Sequence, residues 1–271
     1  MKRCARCHQF LSLNSFYRQS AQPDGLTAYC KECWKTDCAQ RHARKREGMV
    51  DKRRILMESV RHDYFSQIER PIQAYVLGLL ASDGNVSDAR PRIALSVHEK
   101  DKWLVEVARD ELAPMRPITL ARHRDYHMAK IALTSPQMVS DLAHFEIVPR
   151  KSATLRWPAA LPQTLANSYL LGVYDGDGWI TRDLRKPVPY FTAGIISASQ
   201  GFLQAACAAI YEATGLEAPC LSPVNQRAFG IRYGGRRAET LLAWLHQDLP
   251  GLQRKRYPTL PAVGDTPTAA C

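Results

Sequence analysis

Two apolar stretches of the sequence end in the same way. The segments "AYVLGLLASDGNV" (residues 74–86) and "SYLLGVYDGDGWI" (residues 168–180) each run through hydrophobic residues to an aspartate that is followed by glycine. They align without a gap, and Asp177 follows Asp83 by 94 residues. Apolar runs of this kind predict two buried helices, and their recurrence predicts a duplicated unit.

Each repeat continues with the same order of elements. The first helix is predicted at about 71–83 and again at about 165–177. Alternating apolar and polar runs then predict strands, and longer periodic runs predict helices. The predicted strands are a short run after Gly84, "PRIALSV", "PITLARHR" and "YHMAKIALT", and then "WITRDL", "YFTAGIISAS", "APCLSPV" and "AFGIRYG". The result is an α+β fold of two pseudo-symmetric αββαββα repeats.

The two repeats also close alike. "VPRKSATLRWP" places Arg150 and Lys151 after the first repeat, and "LQRKRYPTLP" places Arg254 and Lys255 after the second. A four-stranded sheet with its helices on one face leaves the other face free. Basic residues on the predicted strands and their loops would line that face and contact DNA. They are Arg92, Arg122, Arg124, Lys130, Arg182, Arg185, Arg227 and Arg232.

Small residues precede both aspartates at helical spacing. Gly78 and Ser82 are four residues apart, as are Gly172 and Gly176, so each pair lies on one helix face. Such a face lets two helix backbones pack closely, by the same steric argument that applies to membrane helices. If the two copies pack together, their C-terminal ends converge and bring the two aspartates close to each other.

Two carboxylates held close together favour a divalent cation. Like charges raise each other's pKa, and aspartate oxygens are suitable ligands for Mg²⁺. A metal between Asp83, Asp177 and a phosphodiester could polarise the phosphoryl oxygen and activate water. The simpler interpretation is that each Asp-Gly pair only ends its helix with a turn.

Composition restricts the class of protein. The chain has 271 residues, of which 45% are hydrophobic and 23% charged, enough for a normal globular core. No apolar run approaches the roughly 20 residues that span a bilayer, which predicts no membrane association. The start "MKRCARCHQF" has no apolar signal region. We therefore expect a cytoplasmic protein (in a bacterium or a phage-infected host) or an organellar one, not a secreted one.

Charge favours a polyanionic partner. The net charge is +11 and the isoelectric point is near 9.4. Residues 1–60 alone hold 13 Lys and Arg against 6 Asp and Glu. A clustered basic excess favours nucleic acid, because neutralised phosphates release condensed counterions. The alternative is a solvated basic surface that aids solubility.

Four cysteines near the N-terminus have the spacing of a zinc site. "CARC" contains Cys4 and Cys7, and "CKEC" contains Cys30 and Cys33. Two such pairs complete a closed tetrahedral site, which is structural rather than catalytic. The segment between them, with its Pro-Asp-Gly turn, predicts a short hairpin. The string "CARCH" also fits covalent haem attachment, but the second pair would then have no role.

Residues 41–70 are basic and helix-prone. They predict either a solvated helical linker or a helix that lies along a phosphate backbone, and charge alone does not decide. The resulting domain boundaries are 1–40 for the zinc module, 41–70 for the basic helical linker, 71–160 and 161–262 for the two repeats, and 263–271 for a tail.

The two motifs resemble those of a known family. "VLGLLASDG" (76–84) and "LLGVYDGDG" (170–178) are similar to the signature helices of LAGLIDADG homing endonucleases. The resemblance covers roughly residues 70–260. It includes "IVPRKSATLRWP" before the second motif, as in single-chain members with two repeats. The N-terminal segment lies outside it and resembles treble-clef zinc modules of phage and mobile-element nucleases.

The resemblance implies a monomer whose two sheets form a saddle over double-stranded DNA. The last aspartate of each motif, Asp83 and Asp177, would bind the catalytic metal. A basic residue near the end of each repeat would order water or stabilise charge, and Lys151 and Lys255 occupy those positions. One departure is Ala81, where the pattern usually has an earlier aspartate; Asp175 keeps that aspartate in the second motif.

The sequence thus predicts a Mg²⁺-dependent, site-specific DNA endonuclease of the homing type, with a structural Zn²⁺ in its N-terminal module. Two alternatives on the same scaffold stay open, namely a non-cleaving DNA-binding regulator and an RNA-binding intron maturase. No intein-like flank is present, so a free-standing or intron-encoded protein is expected.

Overall fold

The computed structural model describes residues 1–185 and 190–258. It divides the chain into two compact units, Met1–Glu58 and Ser59–Cys271. In the first unit, the side chains of residues 47, 50, 52 and 53 are also outside the description. The predicted tail (263–271), the last residues of the second repeat and the middle of the "TRDLRKPVPY" loop therefore lie outside the described residues.

The N-terminal unit contains two short hairpins and one long helix. Its elements are β1 (Lys2–Arg3), β2 (Phe10–Leu11), β3 (Phe16–Arg18), β4 (Leu26–Cys30) and α1 (Lys31–Glu58). Strand β1 pairs with β2 and β3 with β4, both antiparallel. The second pair is the hairpin predicted from Pro-Asp-Gly, and its Gly25 has a φ of +69°, which glycine adopts without steric cost. A small core of Cys4, Phe16 and Cys30 lies between the hairpins and α1.

Helix α1 runs for 28 residues without interruption, through Gly48. Beyond Cys38 its described side chains are almost all exposed, so that most of its length has no buried face within this unit. In the described parts of the chain, no helix combines the length and the apolar character that crossing a membrane requires.

The predicted division at residue 40 and the predicted linker of 41–70 differ from the observed division. Helix α1 continues across residue 40 and ends the first unit at Glu58. Residues 59–70 are part of the second unit because their apolar side chains are buried in its core; these are Val60, Tyr64, Phe65 and Ile68. These apolar positions were missed in the sequence because the many charged residues around them predicted a solvated linker.

The second unit has the predicted order of elements twice. The first repeat contains α2 (Pro71–Ser82), β5 (Gly84–Ser87), β6 (Arg92–His98), α3 (Lys102–Leu112), β7 (Thr119–His123), β8 (Tyr126–Thr134) and α4 (Pro136–His144). The second contains α5 (Ala166–Asp177), β9 (Gly178–Asp183), β10 (Tyr190–Ser197), α6 (Gln200–Thr214), β11 (Ser222–Asn225), β12 (Ala228–Gly234) and α7 (Arg236–Leu245). The predicted α+β fold of two αββαββα repeats is confirmed.

Each repeat builds one four-stranded antiparallel sheet. The strand order is β5-β6-β8-β7 in the first repeat and β9-β10-β12-β11 in the second, so the two sheets have the same topology. Alternate residues of the central strands are buried against the helices, for example Ile93, Ile131, Ile195 and Ile231. The intervening residues point to the opposite face, which is the open face of each sheet.

Candidate active site and metal centre

Helices α2 and α5 approach each other at two glycines. A Cβ on Gly78 would collide with the carbonyl oxygen of Tyr169 and lie 3.0 Å from Gly172 Cα. A Cβ on Gly172 would collide in turn with the carbonyl oxygen of Tyr75. The close backbone contact predicted from the spacing of small residues is therefore present, and it requires glycine at both positions.

The same seam brings the ends of the two helices together. Asp83 caps the C-terminus of α2, and Asp177 is the last residue of α5. A Cβ on Gly176 would collide with the Ser82 side chain and would lie 3.1 Å from Asp83 Oδ2. The Asp83 carboxylate therefore lies against the last turn of α5, which also carries Asp177.

Each aspartate is followed by a glycine because the chain turns directly from helix into strand. A Cβ on Gly84 would collide with the backbone of Leu80, and one on Gly178 with Tyr174. No other residue fits these positions without moving the backbone or a buried ring. The Asp-Gly pairs thus do end their helices, as the simpler interpretation held, and they also place both carboxylates at the same end of the helix seam.

The two carboxylates repel each other. Both side chains are exposed to solvent, but surrounding protein atoms reduce their hydration, and this raises the pKa of both. The charge of Asp83 raises the pKa of Asp177 further, to about 6, although Lys255 and Lys151 act in the opposite direction. Within the described residues no side chain donates a hydrogen bond or forms an ion pair with either carboxylate. Their oxygens are therefore available to a cation.

Two buried lysines lie beside this pair. Lys151 Nζ donates to the carbonyl oxygen of Gly84 at 2.5 Å. Lys255 Nζ donates to three carbonyl oxygens in the last turn of α5, namely those of Tyr174, Asp175 and Gly176, at 3.0, 2.6 and 3.1 Å. Lys255 thus occupies the C-terminal end of α5, where unpaired carbonyls and the helix dipole favour positive charge, whereas Lys151 binds the first residue of β5, two residues after the end of α2. Burial lowers the pKa of both, and that of Lys255 to about 8.

The earlier aspartate of the second motif is part of the core. Asp175 is 1% exposed and accepts hydrogen bonds from Tyr75 Oη at 2.6 Å and from the Leu252 amide at 2.8 Å. Burial is the main reason that its pKa is raised, to about 6. It therefore ties α2, α5 and the end of the second repeat together. Ala81 takes its place in the first repeat, so this link exists once only.

The eight predicted DNA-binding residues do not share one face. Residues opposite each other in a sheet point to the same side, and Arg92, Lys130 and Arg232 alternate with buried residues, so they lie on the open faces. Arg122 pairs with His127 and Arg182 with Phe191, which puts both arginines on the helix-bearing side of exposed strand ends. The other three lie in or beside hairpin turns: Arg124, Arg185 and Arg227.

Aromatic groups on the open faces were not singled out from the sequence. His98 stacks on Tyr126 at a ring separation of 5.3 Å, and His123 lies 5.1 Å from the same ring. On the second sheet, the guanidinium of Arg232 lies 5.3 Å above the ring of Trp179. Only the period of 2 along β6, β7, β8 and β9 could have indicated these aromatic residues, and their partners depend on strand register.

The four-cysteine cluster of the N-terminal unit is assembled as predicted. The sulfur atoms of Cys4, Cys7, Cys30 and Cys33 all lie within 4.8 Å of one another. Tetrahedral zinc with Zn–S bonds of about 2.3 Å holds its sulfurs somewhat closer than that, so the set fits Zn²⁺ after a small contraction. Burial raises the pKa of the Cys4 thiol, but backbone N–H groups that include those of Cys30 and Arg6 outweigh it and lower that pKa to about 6. This arrangement stabilises a thiolate, which is the form that binds metal.

No protein-family model and no curated protein sequence matches the chain. Similar solved structures include the homing endonuclease I-WcaI bound to its DNA recognition sequence, at 14% sequence identity and a TM-score of 0.49, covering 73% of this chain and 91% of that one. They also include the LAGLIDADG meganuclease I-AabMI bound to uncleaved DNA, at 12% identity and a TM-score of 0.46, covering 68% of this chain and 85% of that one. A third is the N-terminal LAGLIDADG domain of DUF199/WhiA, at 14% identity and a TM-score of 0.45, covering 72% of this chain and 91% of that one. At these identities and TM-scores the similarity concerns fold and carries no function over to this chain.

Proposed function

We propose that the chain is a divalent-metal-dependent endonuclease that hydrolyses phosphodiester bonds in double-stranded DNA. The observation that carries this proposal is the meeting of Asp83 and Asp177 at the ends of two helices whose backbones touch. The pKa of both exposed carboxylates is raised, mainly by reduced hydration and for Asp177 also by the charge of Asp83, and neither forms an ion pair with a described residue. Such a pair is an unfavourable arrangement, unless a cation joins it.

The donor set fits Mg²⁺. Carboxylate oxygens are hard ligands, and the exposure of both side chains leaves room for water and phosphate oxygens, which Mg²⁺ retains as further ligands. A divalent cation supplies Lewis-acid polarisation of the phosphodiester and a lowered pKa for a nearby water. Asp83 and Asp177 would hold it, one from each repeat.

The two lysines would hold positive charge near the reacting phosphate. Their ammonium groups already donate to backbone carbonyls, which fixes their position and limits their freedom to move. A fixed charge that needs no rearrangement stabilises developing negative charge most effectively. We therefore assign Lys151 and Lys255 an electrostatic role, in line with the position that the motif resemblance gives them.

The open faces of the two sheets would receive the duplex. Arg92, Lys130 and Arg232 lie on these faces, and the net charge of +11 supplies a general attraction to phosphate. Because one chain contributes both carboxylates, a monomer would be sufficient. The finer assignment, a site-specific enzyme carried by a mobile element such as an intron, rests on the motif resemblance alone.

The N-terminal unit would bind one Zn²⁺ through Cys4, Cys7, Cys30 and Cys33 and add DNA contacts through the basic helix α1. All four donors are cysteines, so no ligand position would remain for water, and the zinc would be structural. In a unit whose hydrophobic core is this small, the metal would contribute a large part of the folding free energy.

The direct test is cleavage of a plasmid library with random inserts by the purified protein in the presence of Mg²⁺. Captured ends that share one sequence would support the proposal. The matched control is the Asp83→Asn, Asp177→Asn double variant, which keeps the shape of both side chains and removes their charge. Sequence-selective DNA binding without cleavage would instead favour the non-cleaving regulator. Preferential binding of RNA over the same DNA sequence would favour the maturase.

A further inference from the structure

Asp101 and Arg254 form a two-pronged ion pair that joins the two repeats. Arg254 Nε donates to Asp101 Oδ1 and Arg254 Nη2 to Asp101 Oδ2, both at 2.7 Å. Asp101 ends a 3₁₀ turn before α3 in the first repeat, whereas Arg254 lies in the 3₁₀ turn Gln253–Lys255 after the second. Forked pairs of arginine and carboxylate are short, strong and directional. The side chain of Asp101 is 11% exposed and that of Arg254 is 49% exposed, so solvent reaches the pair from the arginine side only.

Asp101 is used for this pair instead of the role its position normally has. It is the N-cap residue of α3, where an aspartate usually accepts hydrogen bonds from the first amides of the helix, but its side chain makes no such bond. The equivalent N-cap in the second repeat is Ser199, and its hydroxyl does accept from the Phe202 amide. In the first repeat, the side chain of this N-cap residue therefore binds Arg254 instead of the helix amides.

The pair acts on the residue that follows Arg254. Lys255 is 4% exposed, and its ammonium group donates to three carbonyl oxygens at the end of α5. Its own carbonyl oxygen accepts from Tyr174 Oη at 3.0 Å. Because Arg254 and Lys255 share one 3₁₀ turn, fixing the arginine on Asp101 also limits the movement of the lysine backbone.

The first repeat has no equivalent arrangement among its described residues. Arg150, the counterpart of Arg254, is exposed, and no described residue forms an ion pair with it. It adopts a left-handed conformation with a φ of +60°, and the lysine that follows it, Lys151, donates to one carbonyl oxygen only. The two lysines of the candidate site are thus held in different ways.

We propose that the Asp101–Arg254 pair is a positioning device through which the first repeat holds Lys255 at the end of α5. The pair makes the position of Lys255, in the second-repeat half of the site, depend on the first repeat. The position of Lys151 does not depend on the pair. That Lys255 is held in this way does not depend on cleavage; the consequence for strand cutting rests on the proposed function.

The first test measures how accessible each lysine is, and it needs no DNA. The full-length protein is treated briefly with an amine-acylating reagent, and mass spectrometry reports the labelling rates of Lys255 and Lys151 within the same molecules. We expect Asp101→Asn to increase the labelling rate of Lys255 at least threefold and to leave that of Lys151 unchanged. Arg254→Lys, which keeps the charge but lacks the fork, should also increase it.

Two results with the single variants would overturn the proposal. In the first, Lys255 labelling is unchanged in both variants. In the second, both lysines are labelled faster by the same factor, which is the result of general loosening. The double variant Asp101→Asn, Arg254→Lys adds a check: an effect no larger than that of one single change supports the pair, and an additive effect contradicts it. The matched control is Arg150→Lys, which should change neither rate.

The second test follows strand cutting on a supercoiled plasmid that carries a site selected from the library. When the pair is broken, cleavage of the strand served by Lys255 should slow, whereas cleavage of the strand served by Lys151 should not. Nicked circles should therefore accumulate before linear DNA at saturating enzyme. Equal slowing of both strands would contradict selective positioning. If the wild-type protein cuts no DNA at all, the proposed function fails, and the labelling result still decides the positioning of Lys255.

Discussion

Tyr75 Oη donates a 2.6 Å hydrogen bond to Asp175 Oδ2, and this bond crosses the seam between helices α2 and α5. Both residues are buried, and Oδ1 of the same carboxylate has no hydrogen-bond partner among the described residues. The carboxylate is therefore stabilised by few donors, and each remaining donor is important.

We expect Tyr75→Phe to lower the free energy of unfolding by about 1–3 kcal/mol, because a buried acceptor loses a partner while the ring keeps its packing. Chemical denaturation monitored by circular dichroism measures the change. The control is Tyr211→Phe at an exposed position on α6, which should change stability by less than about 0.5 kcal/mol. Equal effects of the two substitutions would show that the bond to Asp175 contributes nothing specific.

The glycines of the seam give a second prediction. Gly172→Ala places a methyl group against the carbonyl oxygen of Tyr75, and neither backbone can move without disturbing the other helix. We expect a loss of about 3 kcal/mol or more in unfolding free energy. Gly201→Ala in α6 is the matched control, since its Cβ meets no atom within 4 Å; that change should be neutral or stabilising. A tolerated Gly172→Ala would mean that the helices do not pack this closely.

The carboxylate pair Asp83 and Asp177 gives a third prediction. Asp83→Asn and Asp177→Asn should each reduce cleavage by at least about a hundredfold, because the loss of one charged ligand removes several kcal/mol of stabilisation from the metal-assisted step. Binding of the selected DNA, measured by gel shift in Ca²⁺, should persist. A single variant that cuts near the wild-type rate would remove that aspartate from the site.

The sequence was sufficient to predict the repeats and the seam because both depend on local, periodic signals. Apolar runs, glycine spacing and alternation along strands are properties of short segments, and the αββαββα order follows from them. The sheet face on which each arginine lies was harder to predict. Arg122 and Arg182 look equivalent to Arg92 in the sequence, but a shift by one residue in register turns a side chain to the other face.

The Asp101–Arg254 pair could not be predicted for a different reason. The two residues are 153 positions apart, and each lies in a short turn that no periodicity marks. Their contact exists only once both repeats are folded and packed. The buried apolar residues of 59–70 were missed because the surrounding charges gave that segment the composition of a solvated linker.

The cysteine cluster gives a fourth prediction. Freshly purified protein should contain one zinc per chain by elemental analysis, and Cys4→Ser should abolish it, because a buried thiolate ligand is lost. The N-terminal unit should then become sensitive to protease while the second unit remains resistant. Cys38→Ser is the control, since this cysteine lies outside the cluster. Zinc that is retained in Cys4→Ser would contradict the ligand assignment.

The buried His246 predicts that stability depends on pH. His246 is 4% exposed, and its Nδ1 donates to the Leu242 carbonyl oxygen at 2.9 Å. Its Nε2 has no partner among the described residues. Burial lowers the pKa of this imidazole, more than the bond to Leu242 raises it. The folded protein therefore keeps the ring neutral at pH values at which the unfolded chain protonates it.

The direction in which pH changes the stability follows from proton uptake. Below the ordinary histidine pKa of about 6.5, the unfolded chain binds a proton that the folded chain does not, so the stability contributed by the neutral ring is lost as the pH falls. The loss from this one group cannot exceed about 1.4 kcal/mol per pH unit. His246→Leu removes the titrating group, so the gap in unfolding free energy between wild type and variant should shift in favour of the variant between pH 7 and pH 5. Denaturation curves at four pH values in this range measure that shift. A gap that stays constant, or moves in favour of the wild type, would show that His246 is not held neutral in the fold.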